Sequence, residues 1–213
     1  MANQTHSTIT DPDIHETKGM STAAKGTVKM ALGSGSSAFN KPLALIASGE
    51  ESFTSSVGSI DFTGLEDYRT IFIVLENYLG QSAQSLVAQV SSDNGSSFET
   101  TGYKSAWIDT DTDILNPQTA GMFVLLTSGT PDDGFGFATI SNFNDASQYT
   151  STQSNFVYMN GNLIDSATLP TNLEAGSAFS YYPTAEAHNA LRLTGLNSQS
   201  SSRITYTIWG IRG

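Results

Sequence analysis

The chain has 213 residues, enough for one large β domain, and only 14% of them are charged. It has no cysteine, which excludes disulfides, thiolate nucleophiles and cysteine-held zinc. The net charge of −11 repels nucleic-acid phosphates and anionic membranes, so neither is an expected partner.

The first stretch reads as an extended N-terminal arm, residues 1–42. Lys18, Lys25, Lys29 and Lys41 stand there against Asp11, Asp13 and Glu16, a surplus of one positive charge. The rest of the chain therefore carries −12, which with the arm's +1 makes the total of −11. The run from Asp11 to Gly19 is polar and has no strand or helix periodicity. Such a segment buries too little apolar surface to order itself, and Pro12 pushes Asp11 toward an extended backbone. The opening Met1–His6 lacks the basic and apolar regions of a signal peptide. No apolar run approaches the ~20 residues of a membrane span. Within the arm, Val28, Met30 and Leu32 alternate with Thr27, Lys29 and Ala31, the period of a strand with one apolar face. Gly33–Ser37 follows as a hinge.

Residues 43–213 read as a β domain. Low charge with abundant Ser, Thr and Gly suits strands and turns better than helices. Leu43–Ala47 and Phe53–Phe62 are the first strand segments. Thr70–Glu76 is β-branched and apolar throughout, so it is expected in the middle of a sheet, buried on both faces. Leu86–Val90 is next, and Asn94-Gly95 predicts a tight hairpin with a returning strand over Phe98–Trp107. Met122–Leu126 is another buried strand. Pro131–Gly134 reads as a turn before the alternating Phe135, Phe137 and Thr139. Asn155–Met159 leads into Asn160-Gly161, a third hairpin signal, and Asn172–Ala178 has room for a helical turn. Segments 178–182, 190–194 and 203–211 complete nine or ten strands. The predicted class is all-β: an antiparallel β-sandwich with jelly-roll-like connections, preceded by the arm.

Candidate sites are few. His188 is the one histidine in the folded body, and its neighbours Glu186 and Asn189 suggest a polar loop more than a catalytic triad. Asp109, Asp111 and Asp113 alternate and share a face if extended, which suits calcium, but the glycine and glutamate of an EF-hand loop are missing. A solvated acidic loop explains them as well, and no metal or cofactor is assigned. Trp107, Tyr149, Tyr181 and Tyr182 are able to stack on sugars or to fill a sandwich core. The pair Tyr181-Tyr182 before Pro183 is the strongest candidate for a ligand platform.

The arm sequence His15-Glu16-Thr17-Lys18-Gly19, then Gly26-Thr27-Val28 and Gly33-Ser34-Gly35-Ser36, resembles the N-terminal region of tailed-bacteriophage virion proteins. In the body, Ile60–Leu65, Ser92–Phe98 and the closing Tyr206–Arg212 are similar to β-sandwich modules of phage structural proteins. The resemblance implies a non-enzymatic virion protein, made in the host cytoplasm. It implies a capsid decoration, cement or short head-fibre role, with the major capsid protein as first partner and a homotrimer as the assembly. In the arm, Ile14, His15, Glu16, Lys18 and Gly19 would contact the partner, and Val28, Met30 and Leu32 would add a strand to its sheet. The alternative is a tail or baseplate adhesin whose sandwich holds host glycans.

Overall fold

The computed structural model describes residues 43–53, 58–80, 85–109, 113–114, 120–125, 132–160, 172–196 and 202–213. The arm, with Ile14, His15, Glu16, Lys18, Gly19, Val28, Met30 and Leu32, lies outside them. The described chain is all-β. Its strands are β1 (Leu43–Phe53), β2 (Gly58–Phe62), β3 (Tyr68–Gly80), β4 (Leu86–Ser91), β5 (Lys104–Asp109) and β6 (Asp113–Ile114). They continue with β7 (Met122–Leu125), β8 (Asp132–Ser141), β9 (Tyr149–Asn160), β10 (Asn172–Ala185), β11 (Ala190–Leu196) and β12 (Ser202–Arg212). All pairings are antiparallel. An eight-stranded sheet runs β1-β12-β3-β8-β9-β10-β5-β6, and a four-stranded sheet runs β2-β11-β4-β7. The two sheets form the expected β-sandwich.

Period-2 alternation sets what each strand gives to the core. Ile204, Tyr206 and Ile208 of β12 are buried, while Thr205, Thr207 and Trp209 between them are partly open. In β3 the same rule corrects the expectation of two buried faces. Ile71, Ile73 and Leu75 are buried, but Val74 is exposed on the other side. The strand lies inside the sheet as predicted, yet one of its faces is open. The strands buried along their whole length are β4 and β7 of the small sheet instead. One contact that covers β4 is Tyr103, fully buried, whose hydroxyl accepts from Val90 N at 3.0 Å and donates to Glu99 O at 2.9 Å. Burial holds the Tyr103 phenol protonated, far above its ordinary range. Tyr103→Phe is expected to leave that amide without its acceptor and to cost about 1–3 kcal/mol. A urea midpoint equal to wild type would show the hydroxyl is dispensable.

The turn signals were half informative. Asn94 and Gly95 take φ of 58° and 85°, the positive values that their sequence predicts. The returning segment is not a hairpin partner, however. Strand structure resumes only at Lys104, and β5 pairs with β10 in the other sheet. The turn thus hands the chain from the small sheet to the large one. Asp93 braces it, accepting from Ser97 N at 2.9 Å and Ser97 Oγ at 2.6 Å, which pulls its carboxyl down to about 2. Residues 132–134, expected in a turn, belong to β8, and residues 172–178, expected to hold a helical turn, belong to β10. The pair β9–β10 starts at Asn160↔Asn172, so Asn160-Gly161 cannot be a two-residue connection. At residues 132–134 and 172–178 a neighbouring strand supplies the ladder and overrides local turn preference.

The core lies between the sheets. Ile71, Ile73, Ile140, Phe156 and Ile208 of the large sheet share one cluster with Leu86, Val90, Phe123, Leu191 and Leu193 of the small one. Polar bonds stitch the layers as well. Ser180 Oγ of β10 accepts from Phe123 N of β7 at 3.1 Å, satisfying an amide on the edge strand of the small sheet.

Candidate functional site

With one side of the large sheet packed on the core, its other side faces outward. Along β10, Ala178, Ser180 and Tyr182 are buried, whereas Ala175, Ser177 and Phe179 are exposed and Tyr181 is half-buried. Along β9, Thr150, Thr152 and Ser154 are buried, and Tyr149, Ser151, Gln153 and Asn155 point the other way. The β8 residues Phe135 and Phe137 and the β5 residues Lys104 and Ile108 are also exposed. The registers set these residues in rows. One row is Phe137–Asn155–Ser177–Ile108, the next Thr139–Gln153–Phe179–Ala106, and the third Ser141–Ser151–Tyr181–Lys104.

Aromatic side chains form a ladder across these rows. The Tyr149 and Tyr181 rings lie 6.2 Å apart at 20°, and Tyr181 lies 6.3 Å from Phe179 at 40°. Tyr149, Phe179 and Phe137 each keep 53% of their surface open. Beside the ladder runs a groove of about 550 Å³. Ile108, Phe135, Phe137, Val157 and Ala175 line its sides, with Gly136, Phe156 and Gly176 across its floor. The two glycines are required there. A Cβ on Gly136 would lie 2.7 Å from Asn155 O, and one on Gly176 would lie 2.7 Å from the Phe156 ring.

The predicted platform Tyr181-Tyr182 is thus split. Tyr181 belongs to the outward ladder, but Tyr182 turns inward, against the rings of Tyr103 at 5.0 Å and His188 at 5.8 Å. Adjacent strand residues point to opposite faces, so the two tyrosines could not share one surface. Tyr149 joins the ladder, whereas Trp107 packs inward, edge-on to Phe123 at 5.0 Å. Phe179 and Gln153 escaped the sequence reading. The alternation of residues 175–182 was the signal that could have found them.

His188 lies in the loop between β10 and β11, as its neighbours suggest, but its side chain is fully buried. Its Nδ1 lies 2.9 Å from Thr150 Oγ1 and its Nε2 lies 3.2 Å from Glu186 Oε1. Burial pushes its pKa below the ordinary histidine value, although Glu186 pulls the other way. A nitrogen facing a carboxylate must donate, so the neutral ring carries its proton on Nε2 and accepts from the Thr150 hydroxyl. The His188 backbone and the Asn189 side chain tie this loop to two others. His188 N donates to Phe143 O at 2.8 Å, and Asn189 Oδ1 accepts from Asn94 N at 2.7 Å.

The side chains of Asp109, Asp111 and Asp113 lie outside the described ones. Among the described residues, no three His, Cys, Asp or Glu side chains cluster for a metal ion. In comparisons with known proteins, no family model, curated protein or solved structure matches this chain.

Proposed function

We propose that this chain is a non-enzymatic structural component of a tailed-phage particle. It acts as a capsid decoration or cement protein or a short head fibre. The arm, residues 1–42, holds it on other virion proteins, the major capsid protein first among them, and the protein assembles as a homo-oligomer, in the trimer form. The observation that carries the reading is the outward face of the large sheet. Val74, Phe135, Phe137, Ile108, Phe179 and Tyr149 all stand exposed there. Large apolar side chains gathered on one exposed face mark an interaction site and suit a protein that works within an assembly. The likeness of the arm to phage virion leaders supports the particle as that assembly.

Deleting residues 1–32 is expected to leave a folded, monodisperse body and to reduce its incorporation into particles to background. Occupancy is read by immunogold labelling or by cryo-electron microscopy of particles. Normal occupancy of the truncated protein would remove the arm as anchor. Label confined to the tail tip would replace the decoration role with that of an adhesin.

A further inference from the structure

We propose that the aromatic ladder Tyr149–Tyr181–Phe179 and the adjoining groove form a binding track for a neutral polysaccharide. The inference goes beyond the virion reading and depends on no location in a particle.

Three observations support it. The first is the ladder itself, three rings in steps of 6.2 and 6.3 Å with Tyr149 and Phe179 half open to water. A pyranose offers patches of C–H on its ring faces and hydroxyls around its rim. It is matched by aromatic faces with hydrogen-bonding groups beside them. The second observation is that those groups are in place. Gln153 is the register partner of Phe179, and Ser151 that of Tyr181. One row on, Ser177 Oγ donates to Asn155 Oδ1 at 2.9 Å, a pair that engages the Asn155 oxygen and not its amide nitrogen. All four groups are neutral amides or hydroxyls.

The third observation is charge. Lys104 is the single charged residue among the described outward side chains of β5, β8, β9 and β10. A chain of net charge −11 disfavours anionic glycans, whereas a neutral glycan meets no such repulsion. The extent of the track decides between a single sugar and a chain of them. Along β9 and β10 the ladder continues through Asn155 and Ser177 into the groove of about 550 Å³ between Phe137 and Ile108. That run suits several consecutive residues of a polymer. Each of the three rows from Phe137 to Ser141 carries hydroxyl or amide side chains, which match the hydroxyls around a sugar's rim.

The test is affinity electrophoresis of the full chain through native gels containing dextran, laminarin or soluble starch, with light scattering to give the oligomeric mass. At least one polymer is expected to retard the wild type. Tyr181→Ala and Phe179→Ala should weaken that retardation at least tenfold, while Tyr181→Phe, which keeps the ring, retains most of it. Unfolding curves like those of the wild type would confirm that the alanine variants are folded, and Gln153→Ala serves as a second, milder probe of the same track. Unchanged mobility in all three gels would overturn the proposal. So would retardation that persists in both alanine variants, or a fall in oligomeric mass in those variants, which would mark the ladder as a contact between copies.

Discussion

Phe156→Ala is expected to lower the unfolding free energy by about 3–5 kcal/mol, the range for emptying a well-packed aromatic site. Phe156 is almost fully buried, and its ring stacks near Tyr158 at 6.4 Å. Its strand neighbours across the ladder are Gly136 on one side and Gly176 on the other. Both positions are too tight for a Cβ, and at Gly176 the obstruction includes the Phe156 ring itself. The three residues therefore form one packing unit, with small residues on both flanks to admit a large one between them. The physical consequence is non-additivity. Gly176→Ala alone should destabilise, because its methyl meets the ring. In the Phe156→Ala background the ring is gone, and the same change should cost less by at least about 0.5 kcal/mol. Urea unfolding of the four proteins measures the coupling. Costs that simply add would show that the glycines are needed for the backbone contacts with Asn155 O and Ile108 O and not for the ring.

The second large effect centres on His188. His188→Ala is expected to cost on the order of 3 kcal/mol, from a cavity between Phe143 and Tyr182 and the loss of the bond to Thr150. Its pH dependence follows from burial. The folded pKa lies below the ordinary value of 6.5, so below that value the unfolded chain takes up the proton first. The unfolded state then binds more protons than the native one, and stability rises with pH across that window. The contribution is fully present above 6.5 and is lost as pH falls toward the lowered folded value. The slope from this one group is at most about 1.4 kcal/mol per pH unit. His188→Gln removes the titration while retaining a polar group, so its stability should fall less than that of wild type between pH 7.5 and 5.5. Equal falls in urea midpoint for the two proteins would mean that folding leaves the His188 pKa unshifted.

Much of the architecture was legible before any coordinates. Alternation at Ile204–Trp209, the apolar run at Thr70–Glu76 and the scarcity of charge pointed to an antiparallel sandwich. The conformation of Asn94-Gly95 was legible too, because positive φ is a property of those two residues. These are local quantities, settled within a few residues along the chain.

What only the tertiary structure decided is where each local piece goes. Asn94-Gly95 makes its turn, but the sheet that receives the next strand depends on the edge that β10 offers to β5, some seventy residues away. The sequence Tyr181-Tyr182 announces two aromatics. Their separation into ladder and core follows from the pleat, and which of them is open follows from the layer packed behind it. His188 lies among polar neighbours in sequence, yet Phe143, Tyr182 and Thr150 enclose it in space. Sequence alone determined the class and the central stretches of the main strands, with the chemistry they carry. Burial on one face of the large sheet, a long-range effect of the small sheet lying against it, decided which of that chemistry faces outward.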